Sequence, residues 1–135
     1  MPRPCKCRKI SSPPLMEGFE PFGITVVPVT AVNMSLEEFE SFRLVNYHKK
    51  SQDEAAVLMQ VSRPTLTRIY NRALSHIAVA FAEGRQLLID GGNFKLENDW
   101  YRCRKCCRLI QGKSNHFPCA TCDCYSDEEL VLINK

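Results

Sequence analysis

The chain contains no run of about 18 consecutive apolar residues, so a membrane-spanning helix is not expected. Its opening stretch, "MPRPCKCRKISSPP", is basic, but no apolar segment follows it. That pattern argues against a secretory leader and for a cytoplasmic protein. No glycine-rich phosphate loop and no nucleophile elbow occur. The three histidines, His48, His76 and His116, are scattered. Catalysis is therefore not expected, and a binding protein is. No internal repeat is visible, and no heptad pattern marks a dimer seam.

What is present is an ordinary globular composition: 135 residues, 44% hydrophobic and 24% charged. That length suits one domain or two very small ones. Eight cysteines stand out. In a reducing cytosol, closely spaced thiols are more often metal ligands than disulfides. The net charge of +3 understates how unevenly charge is distributed. Arg3, Lys6, Arg8 and Lys9 open the chain, Arg63, Arg68 and Arg72 lie mid-chain, and Arg102, Arg104, Lys105 and Arg108 lie near the end. Acidic residues gather in "SLEEFE" and "SDEEL". Separate positive patches on a nearly balanced chain suggest a polyanionic partner.

Residues 1–34 hold six of the eight prolines and read as a basic, extended arm. Within it "GITVVPVTAV" has room for a short strand, which Pro28 confines to an edge or a loop. From residue 35 the pattern changes. "SLEEFESFRLVNYHKK" starts with the capping box Ser35…Glu38 and continues with an apolar stripe at Leu36, Phe39 and Phe42. "SQDEAAVLM" repeats the device with Ser51 and Glu54. A third helix is expected from about Arg63 to Glu83, with Ser62 as N-cap, Pro64 in the first turn and Gly84 as stop. "RQLLIDGGNFKLEN" then places Gly91-Gly92 between two apolar stretches, the pattern of a β-hairpin. The expected architecture is mainly α: a helix-turn-helix core of three helices with a trailing hairpin over 35–97, and a small zinc-ribbon-like module over 98–135.

On a helical projection Leu66, Ile69, Tyr70, Ala73, Ile77 and Ala80 share one side of the third helix. Pro64, Thr65, Arg68, Asn71, Arg72 and Ser75 share the other, with Thr67 at its edge. Guanidinium groups read guanine bidentately or grip phosphate, and asparagine reads adenine. A helix fits the major groove of duplex DNA, and its N-terminal end reaches the base edges. A short capped helix, the turn "QVSRPT" and a second helix, with Ala56, Val61, Leu66 and Ile69 at the internal packing points, match helix-turn-helix geometry. Arg68, Asn71 and Arg72 are the candidate readers of bases or phosphates. Arg63, Thr65 and Thr67 are candidates for setting register on the backbone.

"EEFESFRL" followed by "SQDEAAVLMQVSRPTLTRIYNRALSHIA" resembles the prokaryotic family called domain of unknown function 134, or uncharacterised protein family 0251. "MPRPCKCRKI", "FEPFGI" and "AFAEGRQLLIDGGNFKL" resemble its other segments, so the likeness spans about residues 1–96. The helical part is also similar to the promoter-recognising helix-turn-helix of sigma factors. The resemblance implies a DNA-binding protein. Gln60 departs from the pattern, standing at the turn position where the family has glycine. If that position needs a positive φ, glutamine costs about 1 kcal/mol there.

Near the end, Cys103-x2-Cys106 and Cys119-x2-Cys122 are separated by twelve residues. Two such knuckles can place four thiolates around one Zn²⁺, and so small a segment needs that staple. "CCRLIQGK" and "ELVLI" are candidate ribbon strands. Cys107, Cys124 and His116 leave substitute ligands open, with an iron–sulfur cluster as the alternative cofactor. Cys5 and Cys7 receive no role. The basic residues around the first knuckle either offset the charge of a thiolate-bound metal or touch DNA.

The expected function is sequence-specific binding of double-stranded DNA by a transcriptional regulator, with helix 63–83 in the major groove. Two alternatives remain: a metal- or redox-sensing regulator, and an adaptor that docks on RNA polymerase through the ribbon. A homodimer is compatible with either, since helix-turn-helix proteins often pair.

Overall fold

Three serines set where the helices begin. A serine hydroxyl at an N-cap satisfies a backbone N–H that the first helical turn leaves without a partner. In a computed structural model that describes residues 8–24, 30–92, 94–96, 98–103, 109–112 and 130–133, Ser35, Ser51 and Ser62 are all extended and accept from the N–H of Glu38, Glu54 and Thr65. The helices that follow are α1 (Leu36–Phe42), α2 (Gln52–Met59) and α3 (Arg63–Glu83). A π-helical turn, Arg43–Tyr47, extends α1. Gly84 closes α3 in the left-handed conformation.

Gln60 ends α2 in that same left-handed conformation, at φ 58° and ψ 44°. Val61 donates to the Ala56 carbonyl at 3.0 Å and Gln60 to the Val57 carbonyl at 3.2 Å. These are the two bonds of a Schellman motif, which satisfies the last carbonyls of α2 and turns the chain sharply into α3.

The described residues also form eight strands: β1 (Arg8–Ile10), β2 (Gly18–Phe19), β3 (Val32–Met34), β4 (Leu87–Ile89), β5 (Phe94–Leu96), β6 (Trp100–Cys103), β7 (Leu109–Gln111) and β8 (Leu130–Leu132). They make three sheets, ordered β1-β5, β2-β4-β3 and β7-β6-β8. The protein is therefore not mainly α. The expectation failed because stretches read as a proline-rich arm and as loops pair with distant segments, which no local pattern records. The hairpin over Gly91-Gly92 is also overturned. Strand β4 has both edges occupied, by β2 antiparallel and by β3 parallel, so β5 pairs instead with β1 in parallel. Of the stretch "GITVVPVTAV", residues 25–29 lie outside the described residues. The strand found nearby, β3, begins at Val32. Strands β7 and β8 fall within the two stretches marked near the end of the chain, and both pair antiparallel to β6.

Burial divides the apolar side chains into three groups. The largest joins α1 and α3 to the sheets through Ile10, Met34, Leu36, Ala73, Leu87 and Ile89, with Trp100 and Ile133 packed against it. The second lies between the π-helical turn, α2 and α3: Leu44, Ala55, Ala56, Met59 and Leu66, with Val61 against them. The third is Cys103 with Ile110, in the C-terminal sheet.

Helix α1 differs from its expected stripe. Leu36 is buried, but so are Glu37, Glu38, Glu40 and Ser41, while Phe39 and Phe42 are half-buried. A buried carboxylate needs a partner. Each acid has one: Arg8 Nε lies 3.1 Å from Glu37, His76 Nδ1 lies 2.7 Å from Glu38, and Arg43 pairs with Glu40. Ser11 adds its N–H and hydroxyl to Glu40 at 3.2 and 2.9 Å. The N-terminal segment and α3 thus approach α1 through polar contacts as well as apolar ones.

Candidate nucleic-acid interface

The exposed flank of α3 is positioned by what lies beneath it. Leu66, Ile69 and Ala73 are completely buried, and helical periodicity then turns Arg63, Pro64, Arg68, Asn71, Arg72 and Ser75 outward, where all six are exposed. Tyr70, on the buried side, exchanges hydrogen bonds with the Asn46 amide at 3.0 and 3.2 Å and ties α3 to the π-helical turn.

The six candidate side chains fall into two groups. Thr65, Arg68, Asn71 and Arg72 line one open cleft of about 540 Å³. Arg63 and Thr67 gather instead around Gln52, the first residue of α2. Thr67 donates to the Gln52 side-chain oxygen at 2.7 Å, and Arg63 Nε donates to the same oxygen at 3.4 Å. Arg63 also pairs with exposed Asp53 at 2.7 Å. These contacts brace the start of α3 against the start of α2. Such exposed pairs are weak, on the order of 0.2–1 kcal/mol, so a phosphate can displace Asp53 from Arg63.

Two contributors escape a reading of the helix alone. Gln52 sits on the neighbouring helix, facing the start of α3. Arg8 lines the same cleft as Arg68 and Arg72 although it belongs to β1. Its basic neighbourhood in the sequence was visible. Its place beside α3 depends on the β1–β5 ladder and on Glu37, and neither leaves a local signal.

The chemistry available is that of guanidinium forks, an amide and a hydroxyl on one solvent-facing surface. Of the five described lining residues three are arginines and none is acidic. Such a set suits an anion that presents several acceptor oxygens.

Of the four candidate metal ligands, Cys103 is described: it ends β6, fully buried against Ile110. Cys106, Cys119 and Cys122 lie outside the described residues, as do Cys5, Cys7, Cys107, Cys124 and His116. The β6–β7 ladder ends at Arg102↔Leu109, and Cys103 pairs with Leu130 of β8.

A family model described as "Protein of unknown function DUF134" matches residues 1–97. A UPF0251 protein of Chloroherpeton thalassium is 34% identical, over 98% of this chain and 89% of its own length. One from Pelotomaculum thermopropionicum is 42% identical over 78% of this chain and 80% of its own length. One from Halothermothrix orenii is 35% identical, over 96% of this chain and all of its own length. No solved structure matches. Among the described residues no helix is long and apolar enough to cross a membrane.

Proposed function

Since the chain belongs to the UPF0251 (DUF134) family, whose description names no activity, its surface chemistry has to carry the functional reading, and we propose that it is a cytoplasmic, sequence-specific DNA-binding protein that regulates transcription. The observation that carries the reading is the cleft on α3. Thr65, Arg68, Asn71 and Arg72 share it, directly opposite the buried Leu66, Ile69 and Ala73, and just after the Schellman turn at Gln60. These features support a helix-turn-helix whose second helix lies in a major groove, like the promoter-reading module of sigma factors. Arg68, Asn71 and Arg72 contact base edges or phosphates, and Thr65 holds the start of the helix to the backbone. Arg63 and Thr67 join them after exchanging the contacts around Asp53 and Gln52 for DNA.

Selection of bound duplexes from a random pool tests this. One enriched motif is expected, and a palindrome within it is the mark of a homodimer. Affinity falls steeply with salt, as phosphate contacts require. Neutralising Arg68 and Arg72 together weakens binding by roughly 30-fold or more, at about 1–3 kcal/mol for each lost contact. Unchanged oligonucleotide affinity in that double variant would sink the reading.

The cysteine module is assigned one Zn²⁺ held by Cys103, Cys106, Cys119 and Cys122, with an iron–sulfur cluster as the competing occupant. One observation favours a metal- or redox-sensing form of the same regulator. Arg102, next to Cys103, donates to the Leu15 and Pro14 carbonyls at 3.0 Å each, and Trp100 and Ile133 pack on the main core. A change at the thiols therefore has a mechanical route to the helices. Operator affinity that depends on metal loading separates sensing from stapling. Capture of RNA polymerase without DNA identifies an adaptor instead.

A further inference from the structure

We propose that Arg8 is a backbone-phosphate anchor: with Arg68 and Arg72 it seats a phosphodiester of the duplex beside the recognition helix. The inference rests on the reading of α3 as that helix and adds a residue from the opposite end of the domain. Arg8 lines the same cleft of about 540 Å³ as Thr65, Arg68, Asn71 and Arg72.

Two features hold Arg8 in place. The backbone of β1 is laddered to β5 through Arg8↔Phe94, Lys9↔Lys95 and Ile10↔Leu96, and Ile10 is buried in the main core. The side chain is held at its Nε, 3.1 Å from the carboxylate of buried Glu37. A guanidinium fixed in this way loses little further freedom when it meets an anion.

The same tether decides which part of the duplex Arg8 meets. A side chain that reads a base must extend to the groove floor. The Arg8 side chain is only 21% exposed and pinned near its middle, so its reach is short. Phosphates stand on the groove rims, where a short, fixed cation is enough. Among the described residues lining the cleft three are arginines, so a phosphate there meets more than one cation.

The test is duplex affinity across a salt series, using the enriched motif and a scrambled duplex of equal length. Arg8→Gln is expected to lower the magnitude of the log–log salt slope by about 0.9 and to weaken binding ~fivefold near physiological salt. Both duplexes are affected equally, and the selected motif does not change. Arg8→Lys keeps the slope. Because Arg8→Gln strands the buried Glu37 carboxylate, the neutral pair Arg8→Gln/Glu37→Gln, checked for wild-type melting, must show the same loss of slope. Wild-type slope and affinity in a folded neutral pair overturn the proposal. So does a changed motif, which would make Arg8 a reader of bases. A wild-type chain that binds no duplex at all overturns the function of α3 itself, and this anchor with it.

Discussion

Gln60 occupies a backbone conformation that glycine adopts without strain and that L side chains rarely adopt: φ 58° and ψ 44° at the end of α2. Gln60→Gly should raise stability by about 0.5–1 kcal/mol, read as a melting point higher by roughly 2–5 °C. A lowered melting point would show that the glutamine side chain contributes something else. This position was legible beforehand, because the turn has a fixed place between two capped helices. Gly18 was not. A Cβ there would stand 2.1 Å from the Leu87 carbonyl oxygen, so the backbones of β2 and β4 meet where no side chain fits. The obstruction comes from β4, beyond the end of α3, and nothing near Gly18 in the sequence announces it. Gly18→Ala should destabilise by about 1–3 kcal/mol through overpacking, measured by denaturant unfolding.

Among the elements, the helices were legible and the sheets were not, for one physical reason. A cap, a Schellman turn and an apolar stripe are local, so "SRPTLTRIYNRAL" carries its own instructions for α3. Pairing of β1 with β5, or of β3 with β4, joins segments dozens of residues apart, and the sequence holds no record of register for strands of three residues. The same divide runs through the candidate site: Arg68, Asn71 and Arg72 follow from helical period, whereas Arg8 follows only from the ladder. Helix α1 shows a third kind of failure. "LEEFE" reads as an amphipathic helix with acids in water, yet Glu40 is 2% exposed. Charge that looks solvated in sequence became an internal network because Arg43, Ser11, Arg8 and His76 converge on it. Removing one member of a buried pair leaves the other uncompensated. Glu40→Ala should therefore cost about 3 kcal/mol, well above the ~0.5 kcal/mol typical of an exposed helix position. A loss under 1 kcal/mol in urea unfolding would mean that the Glu40–Arg43 pair is in effect solvated.

At the scale of the whole molecule, the question is whether the C-terminal sheet and the helices behave as one body. The chain has a single tryptophan, Trp100, at the start of β6. It packs against the main core, and the same strand ends at Cys103, the first of the four proposed zinc ligands. Trp100 therefore reports on the junction between the C-terminal sheet and the main core. A sheet of three short strands buries too little apolar surface to persist alone, and binding free energy at a structural zinc site is folding free energy. If the proposed zinc is bound, removing it with a strong chelator should then melt β6, β7 and β8, exposing Trp100 and shifting its emission to the red. The helical circular dichroism should survive, because α1, α2 and α3 keep their caps and their own buried groups. It should melt at a lower temperature, since the core loses Trp100 and Ile133 and the Pro14–Leu15 carbonyls lose Arg102. If duplex affinity falls in parallel, the cysteine module acts on α3 through this junction. If the tryptophan shifts while affinity holds, the metal is a staple for its own sheet. Unchanged emission at complete metal removal would separate the thiols from the fold of β6 altogether.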